Sequence, residues 1–178
     1  MKIDKRYLLF LIPLVLLVFW IQGCLLTGTY VIVYDIDDTI IATEKEFNSA
    51  SVDLSDNDTW EDHKDDVKYV DEVGFTFKVI NNSDKSATGQ LYITDNDSLT
   101  TVEQVRDSAT LIVEGILVGP GGTRHVTWNE SMKYIKNLKV LKDQVESGEF
   151  HLYGICKEDE FKVEFRDIVA VITVTAGV

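Results

Sequence analysis

Tyr30-Val31-Ile32-Val33-Tyr34-Asp35-Ile36-Asp37-Asp38-Thr39-Ile40-Ile41-Ala42-Thr43 is the stretch on which the fold turns. Tyr30, Ile32, Tyr34, Ile36, Ile40 and Ala42 point one way. Val31, Val33, Asp35, Asp37, Thr39 and Thr43 point the other. A period of two with one face richer in large apolar groups is the mark of a half-buried strand.

The same pattern recurs toward the C-terminus. Residues 74–80 place Phe75, Phe77 and Val79 together, and Asn81-Asn82-Ser83-Asp84-Lys85 supplies a turn. Residues 88–94 run back with Leu91 and Ile93 on one face. Residues 109–118 form a β-branched run interrupted by Gly115, a glycine position that suits a bulge. The group Gly119-Pro120-Gly121-Gly122 ends that run. Residues 124–128, 149–156 and 161–175 complete the set.

Three helical segments interrupt the strands. Asp58-Thr59-Trp60-Glu61 carries the N-cap and N3 residues of a capping box, with Trp60, Val67 and Val70 as the apolar side. Thr101-Val102-Glu103-Gln104 opens a shorter helix. Asn137 is placed to cap 138–147, whose Leu138, Leu141 and Val145 form a stripe before Gly148. The helices are too short, and too irregularly placed, for βαβ units. The expected fold is therefore mainly β: an immunoglobulin- or fibronectin-III-like β-sandwich with short helical connections, in which two layers bury the inner strand faces.

Ahead of this domain lies a different kind of sequence. The chain has 178 residues and a formal net charge of −13. Its mean hydropathy, near zero, averages an apolar start with an acidic remainder. Lys2, Lys5 and Arg6 precede an apolar run over 7–21, followed by Gln22-Gly23-Cys24. A basic start, a short apolar core and a small residue make an export signal. Trp20-Ile21-Gln22-Gly23-Cys24 resembles the lipobox of bacterial lipoproteins. That resemblance implies cleavage before Cys24, lipid on its sulfur and acylation of the new N-terminus. It also implies a lipid-anchored location outside the cytoplasm, and sorting to an outer membrane where one exists, because Leu25 follows the cysteine. The expected organisation is a signal peptide over 1–23, a lipidated tether over 24–28 and a sandwich domain over 29–178. An uncleaved signal anchor is the alternative, since residues 7–26 are about as long as a bilayer span requires. Net negative charge argues against nucleic acid, which needs clustered Lys and Arg. With Cys24 carrying lipid, Cys156 is left alone among Phe150 and Leu152 on one strand face, as a buried thiol.

Two further motifs carry chemistry. The run 31–39 resembles the first motif of haloacid-dehalogenase-type phosphatases, an apolar strand followed by Asp-x-Asp-x-Thr. That resemblance implies Asp35 as nucleophile, Asp37 as general acid and base, and bound Mg²⁺. Against it, the chain has no Gly-Asp for the distal metal ligands and no βαβ context. A strand with a charged outer face accounts for the acids. Residues 53–72 hold nine acids and two lysines. Asp53, Ser55, Asn57, Thr59 and Glu61 alternate as in an EF-hand loop, yet Asp58 stands where that loop needs Gly and Lys64 where it needs Glu. A loop calcium site on Asp53, Asp56 and Asp58 is the residual metal reading, beside a solvated acidic surface. His63, His125 and His151 read as surface residues, and Trp60 and Trp128 as packing residues with sugar stacking the alternative.

The stretch 75–153 is similar to the water-stress (late-embryogenesis-abundant) sandwich domain. The likeness rests on a strand ending in Asn81-Asn82, then Gly115-Ile116-Leu117-Val118, Gly122-Thr123, a leucine-bearing helix and Gly148-Glu149-Phe150. It implies a fibronectin-III-like sandwich with a late helix and assigns no activity. The functional expectation is a membrane-anchored, non-enzymatic envelope lipoprotein that binds an envelope protein or glycan, or serves a structural role. A calcium-dependent or carbohydrate-binding module is the alternative, and the phosphatase the remote one.

Overall fold

The computed structural model describes residues 27–36, 39–42, 49–157 and 163–177. Among these residues nine strands follow in order: β1 (Thr27–Ile36), β2 (Ile40–Ala42), β3 (Ser49–Asp53), β4 (Val67–Asn81), β5 (Ala87–Thr94), β6 (Thr110–Val118), β7 (Thr123–Val126), β8 (Glu149–Cys156) and β9 (Val163–Gly177). Four α-helices connect them: α1 (Asp58–His63), α2 (Val102–Ser108), α3 (Trp128–Ser131) and α4 (Leu138–Ser147). One sheet has the order β1-β9-β4-β7, with β2 also on β9, and the other runs β3-β8-β5-β6. All strand pairs are antiparallel.

The β-sandwich with short helical connections is thus what this chain forms. Its strand order refines the expectation. Apart from β1–β2 and β5–β6, each connection crosses from one sheet to the other, which interleaves two Greek keys as in a jelly roll. An immunoglobulin-type order would keep more sequential strands side by side in one sheet. Alternation identifies a strand and its buried face, but it carries no information on which sheet the strand joins.

One core fills the space between the sheets. Ile32 and Ile36 of β1, Val73, Phe75, Phe77 and Val79 of β4, and Ile168, Ile172 and Val174 of β9 face Val52, Leu91, Ile93, Phe150 and Leu152 of the second sheet. Leu141 and Val145 close one side, so α4 serves as a lid on the core. Cys156 is a buried thiol in the same cluster.

Phe165 of β9 sets the closest approach. A Cβ on Gly89 would stand 2.7 Å from its Cζ, and one on Gly154 would stand 2.9 Å from its Cδ2 and 2.7 Å from Ile40 Cγ2. Phe77 tilts against the same ring at 5.7 Å between centroids. The ring occupies space that two glycines on adjacent strands leave open.

Several local expectations change. The first helix ends at His63, and Val67 and Val70 belong to β4, where they pair with Ala176 and Val174. Ladder pairing of a β-branched stretch outweighs the helical spacing. The N-cap of α1 is Asn57 rather than Asp58, its side chain accepting from the Trp60 N–H. Asn137 precedes α4 in a left-handed conformation and donates its side-chain N–H to Leu111 O instead of capping. Trp128 opens α3 rather than ending a strand. Gly115 does mark a bulge, at φ 97.

Overpacking a close sheet contact costs about 1–3 kcal/mol. Gly89→Ala and Gly154→Ala are each expected to lose that much in urea unfolding of the domain. Phe165→Leu placed in the same chain should return part of the loss. Additive losses would show that the ring is not what the glycines accommodate.

Candidate functional surface

The outer face of the first sheet is built from the residues that alternation turns away from the core. Directly paired residues share a face, so the register defines rows across it. Thr29, Thr175 and Tyr69 form one row; Val31, Thr173 and Glu72 the next; then Val33, Val171 and Gly74; then Asp35, Val169 and Thr76. Val31 is 56% exposed, Val33 55% and Tyr69 66%. The face is therefore mostly Val and Thr, with Asp35 and Glu72 in the same rows. Asp71 takes a hydrogen bond from the Thr175 hydroxyl at 2.7 Å.

Two elements bound this face. On the β4 side, α3 lays Trp128 and Met132 over Gly74, where a Cβ would stand 2.5 Å from the indole Nε1. Ser131 Oγ accepts from the Phe75 N–H at 3.0 Å, continuing the strand edge that β7 leaves open. Trp128 thus packs helix to sheet, while Trp60 lies in the core. On the β1 side, α1 stands against the edge. Asn57 Nδ2 donates to Val33 O at 3.0 Å, and His63 stacks on Tyr30 at 3.7 Å. A capped edge is protected from pairing with another strand.

The acidic segment accompanies α1. Asp58, Glu61, Asp62 and Asp65 are exposed beside the β1 edge. Thr27 pairs with Gly177 and Val67 with Ala176, so the point where the chain enters the sandwich lies at the same end as the segment over 64–66.

The residues singled out in the sequence fall as follows. Cys24 and Asp37 lie outside the described residues. Asp35 sits on β1, exposed and opposite Val169, within an antiparallel ladder rather than at the carboxyl edge of a parallel sheet. Asp53 accepts from the Ser55 N–H at 2.9 Å, and hydrogen bonding from Ser55 holds its carboxyl below the usual carboxylate range. Asp56 and Asp58 are exposed. Among the described residues, no three His, Cys, Asp or Glu side chains are gathered as for a metal ion. His63 is half-buried in its stack, His125 is exposed and His151 is half-buried on an outer face.

The opposite outer face is largely covered. Helix α2 packs Val105 with Leu99 onto Tyr92, Tyr153 and Ile155, a second small core. Burial pushes the Tyr92 hydroxyl up. At its margin Glu114 accepts from Gln90 at 3.0 Å and Lys157 at 3.2 Å. The bond from Lys157, with that from Gln90, holds the Glu114 carboxyl low.

No family model and no curated protein matches the chain. Among solved structures, dimeric latent PorU from Porphyromonas gingivalis aligns with 86% of this chain at 10% identity and a TM-score of 0.32. This chain covers only 13% of PorU. The Turnip Yellow Mosaic Virus structure aligns with 85% of this chain and 94% of its own at 8% identity and a TM-score of 0.32. That of desmodium yellow mottle tymovirus aligns with 85% and 83% at 11% and 0.26. Overlaps this loose carry no argument about function.

A carboxyl whose folded pKa is depressed stabilises the fold above its unfolded value, about 4.3 for Glu. That contribution is lost as pH falls through the lower folded value. The melting temperature is expected to fall below about pH 4.5, and Glu114→Gln should flatten part of that fall. An unchanged profile would show that the Lys157 and Gln90 bonds do not persist in solution.

Proposed function

We propose that the chain is an exported lipoprotein, held on the outer side of a cell membrane by lipid on Cys24. Its sandwich serves there as a non-enzymatic binding or structural module of the envelope. The observation that carries this reading is the junction between address and fold. The lipobox-like Trp20-Ile21-Gln22-Gly23-Cys24 is followed, three residues on, by the first paired residue of β1, Thr27. Three residues reach at most about 10 Å. A lipid at Cys24 would therefore hold the folded domain against the bilayer, with little linker between them. Two or more acyl chains anchor firmly where one alone is marginal.

The charged clusters support a module rather than a catalyst because they are tied into the fold. Arg124 bonds Glu130 and the Tyr134 hydroxyl, each at 2.6 Å, and joins α3 to β7. Lys78 pairs with Asp167 across β4 and β9, and Arg166 with Glu164 at 2.6 Å. The acidic segment beside β1 offers the complement for a basic envelope protein. Removing residues 1–23 would take Lys2, Lys5 and Arg6 but only one acid, Asp4, so the mature domain is more acidic than the whole chain.

Cys24→Ala in the full chain is expected to abolish lipid attachment, seen as loss of the acyl mass on the mature N-terminus. Cleavage before residue 24 should fail with it, so that the uncleaved precursor replaces the mature form. Unchanged processing and retention would overturn the lipoprotein reading in favour of a signal anchor.

A further inference from the structure

We infer that the outer face of the first sheet, centred on Val31, Val33 and Tyr69, lies against the headgroups of the membrane that anchors the chain. The inference rests on the lipoprotein reading and adds an orientation to it.

Three observations converge on this face. First, among the described residues, Val31, Val33 and Tyr69 are the exposed large hydrophobics that share one surface, while Leu117 and Leu138 stand elsewhere. Second, the chain preceding the described residues joins this face at its corner. Thr27, Thr29, Val31 and Val33 alternate onto it directly from the entry point. At about 3.3 Å per residue, Val31 lies about 13 Å along the strand from Thr27. A tether of three residues brings that whole row within reach of the bilayer surface. Third, charge turns the β1 edge itself, rather than the sheet face, away from the bilayer. The exposed acids of α1 and the segment over 64–66 flank the β1 edge, and an anionic leaflet repels them. The face itself carries Val31 and Val33 on β1 and Tyr69 on β4 around Thr173 and Thr175 of β9, with Asp35 and Glu72 in the same rows and Asp71 bonded to Thr175.

The chemistry matches a headgroup boundary rather than a buried span. Valine side chains and threonine hydroxyls present a mildly apolar, hydrogen-bonding surface, and tyrosine places an apolar ring with a polar tip at such an interface. A short tether raises the effective concentration of the bilayer at this face to the order of mM, so weak contacts suffice. No strand needs to be added, because α1 already caps the β1 edge.

The test uses mature, lipidated protein reconstituted in phosphatidylcholine vesicles containing a shallow spin-labelled lipid. A polarity-sensitive fluorophore is attached to Val33→Cys or, as reference, to Ser51→Cys on the outer face of the second sheet; Cys156 is buried and stays unlabelled. The fluorophore at 33 is expected to shift to the blue and to be quenched severalfold more than that at 51. Equal quenching in protein that floats with the vesicles overturns the orientation and leaves the anchor standing. Protein that does not float overturns the anchor reading, and the orientation with it. Disulfide-linked pairs of Val33→Cys, with no lipid quenching, assign the face to a second copy of the chain and overturn the inference.

Discussion

The seating of Phe165 between Gly89 and Gly154 governs how close the two sheets come. Phe165 is paired with Ile40 in the first sheet. In the second sheet, Gly89 pairs with Cys156 and Gly154 with Leu91, two rungs apart on the same ladder. Two missing side chains on neighbouring strands leave a depression, and the phenyl ring fills it. Sheet-to-sheet packing needs interdigitation across about 10 Å, and a protein interior tolerates few voids larger than a water molecule. Depression and ring therefore require one another. The rest of the core builds outward from that contact, with Phe77 tilted on the ring and α4 closing the side.

Register follows from the same economy of space. Strand β9 is apolar on both faces, so alternation of polarity alone would permit a slip of one residue. Shape resolves it. Ile168, Ala170, Ile172, Val174 and Ala176 point inward, and Val169, Val171 and Thr173 outward. A one-residue slip would put valine or threonine both where the core holds isoleucine and where it has room only for alanine. Asn81 locks the far end of the sandwich. Its Nδ2 lies 2.7 Å from Lys85 O and 3.1 Å from both Val118 O and Gly119 O. Its Oδ1 accepts from the Ser83 N–H and hydroxyl. One fully buried amide thereby ties the β4–β5 turn to the β6–β7 turn.

Most strands were legible because polarity alternates along them. β5, β6 and β8 fall within a residue or two of where the pattern places them, as does α4 with Gly148 at its end. What was not legible has identifiable causes. The parity of β9 switches between Phe165 and Ile168, where Asp167 takes φ 51, and that of β4 switches between Val70 and Val73. Each switch coincides with two adjacent charged residues inside an apolar strand, Arg166-Asp167 and Asp71-Glu72. That signal was present and is physically sensible, since a bulge turns consecutive residues outward. β3 was missed because Ser49–Asp53 carries only Ala50 and Val52 as inward residues. The roles of Gly89, Gly154 and Gly74 depend on groups distant in sequence, and a single chain read locally holds no trace of them. For the candidate surface, the outward set Val31, Val33 and Asp35 was readable from alternation. Tyr69 was hidden by the helical spacing of Trp60, Val67 and Val70.

The first strand carries three constraints at once: a core face, an exposed face and an edge. Its edge is taken by α1, whose Asn57 both caps that helix and donates to Val33 O, so helix formation and edge protection are a single interaction. Its inward face is fixed by Ile32 and Ile36. Only the outward face has freedom to vary, and there the chain places Val31 and Val33 where threonine would satisfy the fold as well. A strand needs β-branched residues at such positions for propensity, but Thr29, Thr173 and Thr175 show that a hydroxyl meets that need on this same face. The choice of valine over threonine at 31 and 33 is thus not demanded by the sandwich, and it falls beside the point where the tether enters.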